Sequence, residues 1–174
     1  MLYDLKGAGN YIMKYSVDIA MMKVAHSPDQ LYCLGLGSCV GVAVYDPVAR
    51  VGGLLHVLLP AMYEFTSAGK IRTKFADTGI ADLVDAVIKS GAARQRLKAK
   101  MAGGATMFSI KGAPQNDVIA IGRRNVQSCR DTLKRLGIDL VAQDTGGTKG
   151  RTVTFCVETG EFTIRMIDKG EKVI

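Results

Sequence analysis

Apolar positions along this chain follow two rhythms. Val40–Tyr45 and Val51–Leu59 are short β-branched and apolar runs, and the Asp46-Pro47-Val48-Ala49 segment between them has proline at the second position of a type I turn. They predict a hairpin. Further strands are expected at Asp18–Ala25, Leu97–Ala102, Ile138–Ala142, Thr152–Val157 and Phe162–Ile167, the last two joined by the turn Glu158-Thr159-Gly160-Glu161. Helical spacing replaces alternation in two places. From Phe75 to Ser90 the residues Ile80, Val84, Val87 and Ile88 recur on one face and Gly91 is placed to stop the helix. From Asn125 to Leu136 the residues Val126, Cys129, Leu133 and Leu136 do the same, with Gly137 as the stop.

Strands outnumber helices and hairpins are prominent. This pattern predicts an α+β fold of mixed or antiparallel sheets with helices packed outside, and argues against a doubly wound nucleotide-binding fold. No repeat or Pro/Gly-rich linker divides the 174 residues. Residues 1–17 read as an N-terminal extension and 18–174 as a single domain.

Composition narrows the class. Hydrophobic residues are 48% and charged residues 22% of the chain, values of an ordinary globular protein. No apolar run approaches the roughly 18 residues of a membrane span, and none at the N-terminus suits a signal peptide, so the expected location is the cytoplasm without membrane insertion. The net charge of +7 raises the question of nucleic acid, but the Lys and Arg residues are scattered and aromatic residues are only 6%. No basic stripe or stacking platform results, and nucleic acid is not expected as a partner. The four cysteines lack Cys-x-x-Cys spacing, so they read as thiols rather than metal ligands, and no cofactor is expected.

The segment Leu34-Gly35-Leu36-Gly37-Ser38-Cys39 places one of those thiols just after two glycines, where a strand resumes. Such a loop allows close approach of a substrate and leaves amides free to face a developing oxyanion. His56 is the candidate base, because His26, the other histidine, lies in a turn beside Ser27-Pro28. With Asp46 and Ala49 as the facing pair at the hairpin turn, Cys39 falls directly opposite His56 on one face. Gly41 and Ala43 follow on that face and leave room for a substrate side chain. Read alone, a cysteine and a histidine in apolar strands are ordinary core residues. Their pairing makes a thiol–imidazole dyad the alternative, and the residues leave both readings standing.

The run LGLGSCVGVAVYDPVARVGGLLHVLLP, residues 34–60, closely resembles the signature of the CheD family of chemoreceptor glutamine deamidases. AGGATMF at 102–108, IGRRNV at 121–126 and DTGG at 144–147 follow in the family's order. The resemblance implies a sandwich of mixed β-sheets flanked by outer helices, shared with glutamine-deamidating toxins. It also implies Cys39 as nucleophile and His56 as acid and base, with chemoreceptor cytoplasmic helices as substrate and the CheC phosphatase as a further partner. Residues expected along the substrate groove are Gly37, Ser38, Gly103, Phe108, Arg123, Asn125, Thr145 and Gly146, several of which have turn-forming or core-tying roles as the alternative. One position departs from the pattern. Six residues before the nucleophile the family usually has threonine as a third catalytic group, and here that residue is Cys33. A thiol is a weak hydrogen-bonding group, which keeps a non-enzymatic adaptor in view as the second reading, and a different cysteine acyl-transfer enzyme as the third.

Overall fold

The computed structural model describes residues 3–4, 11–65, 71–106, 117–167 and 169–174. Its elements in chain order are β1 (Tyr3–Asp4), β2 (Tyr11–Ile12), β3 (Lys14–Ser16), β4 (Met22–His26), β5 (Gln30–Leu36), β6 (Val40–Asp46), β7 (Val51–Val57), α1 (Ala76–Lys89), β8 (Lys98–Gly103), α2 (Asp117–Arg135), β9 (Asp139–Thr145), β10 (Arg151–Cys156), β11 (Phe162–Met166) and β12 (Gly170–Val173). β1 and β2 pair with each other. The rest build two mixed five-stranded sheets, ordered β4-β7-β6-β8-β9 and β12-β11-β10-β5-β3, in which β8–β9 and β3–β5 are the parallel pairs. The expected sandwich is therefore present. β3 lies within the residues read as an extension, and its pairing with β5 ties the chain to a sheet from Lys14 onward.

Period-two alternation in the first sheet divides the interior into two cores. Val40, Val42, Val44, Leu55 and Val57 face α1 and α2, where Ile80, Leu83, Val84, Val87, Val126, Cys129 and Leu133 meet them. Each fully buried Val, Leu or Ile of that stripe contributes about 1.5–3 kcal/mol by leaving water. Cys39, Ala43, Tyr45, Leu54 and Ala102 face the other way, against Leu31, Cys33, Leu36, Val153, Phe155 and Phe162 of the second sheet. The order of layers is helices, sheet, sheet. Gly52 lets the two sheets close up, because a Cβ there would meet the Phe155 ring and Tyr45 Cβ at 2.8 Å.

The hairpin forms, but its register differs from the one expected. Asp46 pairs with Val51 rather than Ala49, so Gly41, not Cys39, lies opposite His56. The reason is in the turn. Asp46 Oδ1 accepts from the amides of Val48 (2.9 Å) and Ala49 (3.1 Å), which draws both residues into the loop, and Arg50 closes it in the left-handed region at φ 51°. The slip is two residues, an even number, so every side chain keeps its face.

Candidate active site

Cys39 stands where the chain passes from one sheet to the other. β5 ends at Leu36 in the second sheet and β6 begins at Val40 in the first, with Gly37 and Ser38 half-buried between them. Before that crossing, β5 carries a bulge: Cys33 pairs with Val153 and Leu36 with Arg151, three steps on one strand against two on the other. Gly35 sits in the bulge at φ 65° and turns Leu34 out to solvent, while Cys33 and Leu36 both face the core.

The same face carries His56. In the observed register Cys39 is its diagonal neighbour, two residues along from the facing Gly41, and diagonal pairs lie about 7–8 Å apart across an antiparallel ladder. The space beside Gly41 is not available to a substrate, because Leu36 Cδ1 and Val153 Cγ2 would lie 3.1 and 3.2 Å from a Cβ there. Ala43 is likewise sealed in the core between the sheets. A depression of about 400 Å³ lies on the His56 side, lined by Val17, Asp18, Ile19, Leu34 and His56 but not by Cys39. Cys39 retains 8% exposure, whereas Cys33 and Cys129 retain none.

The His56 ring is held from one side. Its Nδ1 lies 3.3 Å from the Val17 carbonyl oxygen, which can only accept, so Nδ1 carries the proton and Nε2 the lone pair. Nε2 is buried and has no hydrogen-bond partner among the described residues. The thiol and the imidazole are therefore neighbours that have not yet joined in a hydrogen bond, as is common before substrate binds. Burial pushes the His56 pKa down from 6.5, opposed by the Val17 bond and by Asp18. Burial pushes the Cys39 thiol up from 9.0, offset in part by Cys39's own backbone N–H. The resting pair is thus neutral thiol and neutral imidazole near pH 7.

Cys33 lies wholly buried behind this pair, its thiol pushed far up by burial, then by the nearby Cys39 and Asp18. It stays protonated. The His56 ring is oriented instead by the Val17 carbonyl, from a residue the sequence reading placed in the extension.

The remaining expected residues separate. Gly37 and Ser38 adjoin Cys39, but Gly103 is buried beneath it, with its ideal Cβ position only 2.3 Å from the Cys39 carbonyl oxygen. Asn125 is wholly buried behind the loop rather than lining a groove, and its Nδ2 donates to the carbonyls of Ser38 (2.9 Å) and Leu58 (3.0 Å). Thr145 Oγ1 accepts from Arg130, and the Gly146 carbonyl from the buried Arg151, which also reaches Asp144 and the Gly103 carbonyl. Arg123 is exposed on α2, and Phe108 lies outside the described residues. Val17 and Arg151 were missed by sequence reasoning; only the fold reveals a backbone acceptor or a buried guanidinium among many arginines. Among the described residues no three His, Cys, Asp or Glu side chains are gathered as metal ligands would be, and no helix is long and apolar enough to cross a membrane.

Comparison with known proteins converges on one family. The family described as CheD chemotactic sensory transduction matches residues 58–166, a stretch that begins two residues after His56. A Desulforamulus reducens protein named "Probable chemoreceptor glutamine deamidase CheD" is 49% identical over 158 residues, covering 91% of this chain and 93% of that one. A Caldanaerobacter subterraneus subsp. tengcongensis protein of the same name is 46% identical over 158 residues, covering 91% and 96%. Among solved structures, the Bacillus licheniformis hypothetical protein YfiH aligns with a TM-score of 0.40 and 18% identity over 67% of this chain and 46% of its own. Matched over more than half its length by the family and at 46–49% identity by these relatives, the chain belongs to the CheD family.

Proposed function

We propose that this protein is a cytoplasmic amidohydrolase that converts glutamine side chains on chemoreceptor cytoplasmic helices to glutamate, with Cys39 as nucleophile and His56 as acid and base. The names of the relatives support the reaction. The observation that carries the residue assignment is the His56 ring, whose Nδ1 is committed to Val17 while the unpartnered Nε2 shares a face with a thiol that keeps some exposure.

Nε2 takes the Cys39 proton, and the sulfur attacks the carboxamide carbon. The carbonyl oxygen becomes an oxyanion, stabilised by backbone amide at the nucleophile. His56 returns the proton to the departing nitrogen and ammonia leaves, with the acyl group held as a Cys39 thioester. Water, deprotonated by the same imidazole, cleaves the thioester, giving glutamate and regenerating the thiol. Beyond the substrate and water, this balance calls for no further group. Each turnover adds one negative charge to the receptor helix. The family resemblance extends the proposal to the CheC phosphatase as a partner.

The test is mass spectrometry of a receptor cytoplasmic fragment incubated with the protein, together with an ammonia assay. Wild-type protein raises peptide mass by about one dalton per converted glutamine, and Cys39→Ala abolishes the shift because the nucleophile is gone. Binding of the fragment with no shift would favour the adaptor; backbone cleavage or amine incorporation would favour another acyl-transfer reaction.

A further inference from the structure

Three consecutive carbonyls at the nucleophile are each held from behind. The Gly37 oxygen accepts from Ala105 N–H (2.8 Å), the Ser38 oxygen from Asn125 Nδ2 (2.9 Å) and the Cys39 oxygen from Gly104 N–H (2.8 Å). Two of these donors are backbone amides of the turn after β8. The middle one is a side chain, and it also spends its second hydrogen on Leu58, two residues beyond His56. One amide group thus spans from the nucleophile's loop to the end of the strand that carries the base.

The Ser38 carbonyl and the Cys39 N–H belong to one planar trans peptide, so they point in opposite directions. Pulling the oxygen back toward Asn125 aims the N–H forward. Among the described residues that N–H donates to no carbonyl, although the carbonyls on both sides of it are taken. It is also the group that favours the Cys39 thiolate, which places it on the sulfur's side. A forward-facing amide beside the sulfur, which no carbonyl claims among the described residues, is what a tetrahedral oxyanion needs.

Asn125 costs the fold something to keep. It is 0% exposed, and its Oδ1 has no hydrogen-bond partner among the described residues. A leucine of similar size would remove that acceptor but strand the Ser38 and Leu58 carbonyls instead. What the asparagine supplies is the pair of donated hydrogen bonds that ties these two carbonyls together.

We infer that Asn125 is a positioning residue for the oxyanion site, orienting the Cys39 N–H by holding the other end of its peptide group and fixing that peptide against the end of β7. This rests on the proposed deamidation chemistry. It concerns the alignment of the amide and not the supply of a group that touches substrate.

The prediction separates two kinds of attack by one sulfur. Alkylation of Cys39 by iodoacetamide needs the thiolate but develops no oxyanion, whereas addition to a glutamate γ-semialdehyde peptide, forming a thiohemiacetal, uses the same amide as the reaction. In Asn125→Leu, kcat for receptor deamidation should fall about 10–100-fold with KM within about threefold, less than the loss of a whole oxyanion donor. The aldehyde affinity should fall by a similar factor, and the alkylation rate of Cys39, read by peptide mass, should stay within about threefold. Asn125→Ser, too short to reach both carbonyls, should repeat the result if the leucine variant does not fold, which alkylation of the sealed Cys33 and Cys129 would reveal. Equal losses in alkylation and aldehyde binding, or no loss in either kcat or aldehyde binding, would overturn the inference. Wild-type protein that forms the aldehyde adduct but releases no ammonia would sink the proposed function and leave this inference readable from the adduct. Wild-type protein that does neither sinks both.

Discussion

The carbonyl oxygen of Val17 lies 3.3 Å from Nδ1 of His56, and this contact decides which ring nitrogen carries the proton. Nε2 is left as the basic atom on the face shared with Cys39. In the proposed mechanism the working form of the pair carries one proton, which rests on sulfur and moves to nitrogen during attack. A second proton on the pair stops the reaction, and that step belongs to His56, whose pKa burial holds below 6.5. Loss of the last proton removes the acid for the leaving ammonia, and that step belongs to the thiol, held above 9.0. A pH profile of kcat/KM should therefore be bell-shaped with a broad top, its acid limb below 6.5 and its alkaline limb above 9.0. An acid limb centred above 6.5 would contradict the neutral pair.

Val17 also bears on Cys33. Because a backbone carbonyl already orients the ring, the buried Cys33 thiol is not needed for that task. Cys33→Val, similar in size and without a donor, should keep deamidation within a few-fold of wild type, and Cys33→Thr should equal or exceed it. A tenfold fall in kcat for either variant would show that the sulfur has its own part in the site.

Two glycines near Cys39 should respond differently to alanine. At Gly103, φ is 121° and a Cβ would sit 2.3 Å from the Cys39 carbonyl oxygen, so the turn that supplies the Gly104 N–H to that oxygen must shift. Gly103→Ala is expected to cost at least about 3 kcal/mol and most of the activity. At Gly35, φ is 65° and nothing lies within 4 Å, which leaves only the backbone term of about 1–2 kcal/mol. Urea unfolding midpoints and kcat measured on the same preparations test the contrast.

Asp46 secures the hairpin from its turn. Its buried carboxylate accepts from the amides of Val48, Ala49 and Ala93 and from the Arg96 guanidinium. Burial alone would raise its pKa, but Arg96 and the three amides outweigh that and hold it well below 3.8. The unfolded chain therefore binds the proton first as pH falls, so this stabilisation is complete above 3.8 and is lost on acidification through the folded value. Asp46→Ala should cost about 3 kcal/mol at neutral pH through the stranded amides. It should also flatten the acid side of the stability profile relative to wild type, measured by urea unfolding across pH.

How much of this was legible in the chain differs element by element. The hairpin and α1 follow from alternation and helical spacing, and the thiol and imidazole could be placed on one face from turn parity alone. The register could not, because it turns on the Asp46 side chain drawing Val48 and Ala49 into the loop, and that carboxylate is itself held by Ala93 and Arg96, about fifty residues on. β5 escaped notice since Leu34-Gly35-Leu36-Gly37 breaks alternation, and the break is the bulge itself. α2 begins at Asp117, eight residues before the expected start at Asn125, and Gly122 lies in that added stretch. In the fold it permits close approach, as a Cβ there would meet the Ala105 carbonyl oxygen at 2.7 Å. Asn125 acts 87 residues from Ser38, a distance over which sequence spacing carries no geometric information.

The link from Leu36 to Val40 passes between the layers, with Cys33 sealed inside and Cys39 at the rim. These two sulfurs form a built-in gauge of breathing. The labelling rate of Cys39 follows local chemistry at the rim, while labelling of Cys33 requires the two sheets to part. Their ratio in native protein, followed with and without a docked receptor fragment, reports how often the sandwich opens and whether a partner clamps it shut.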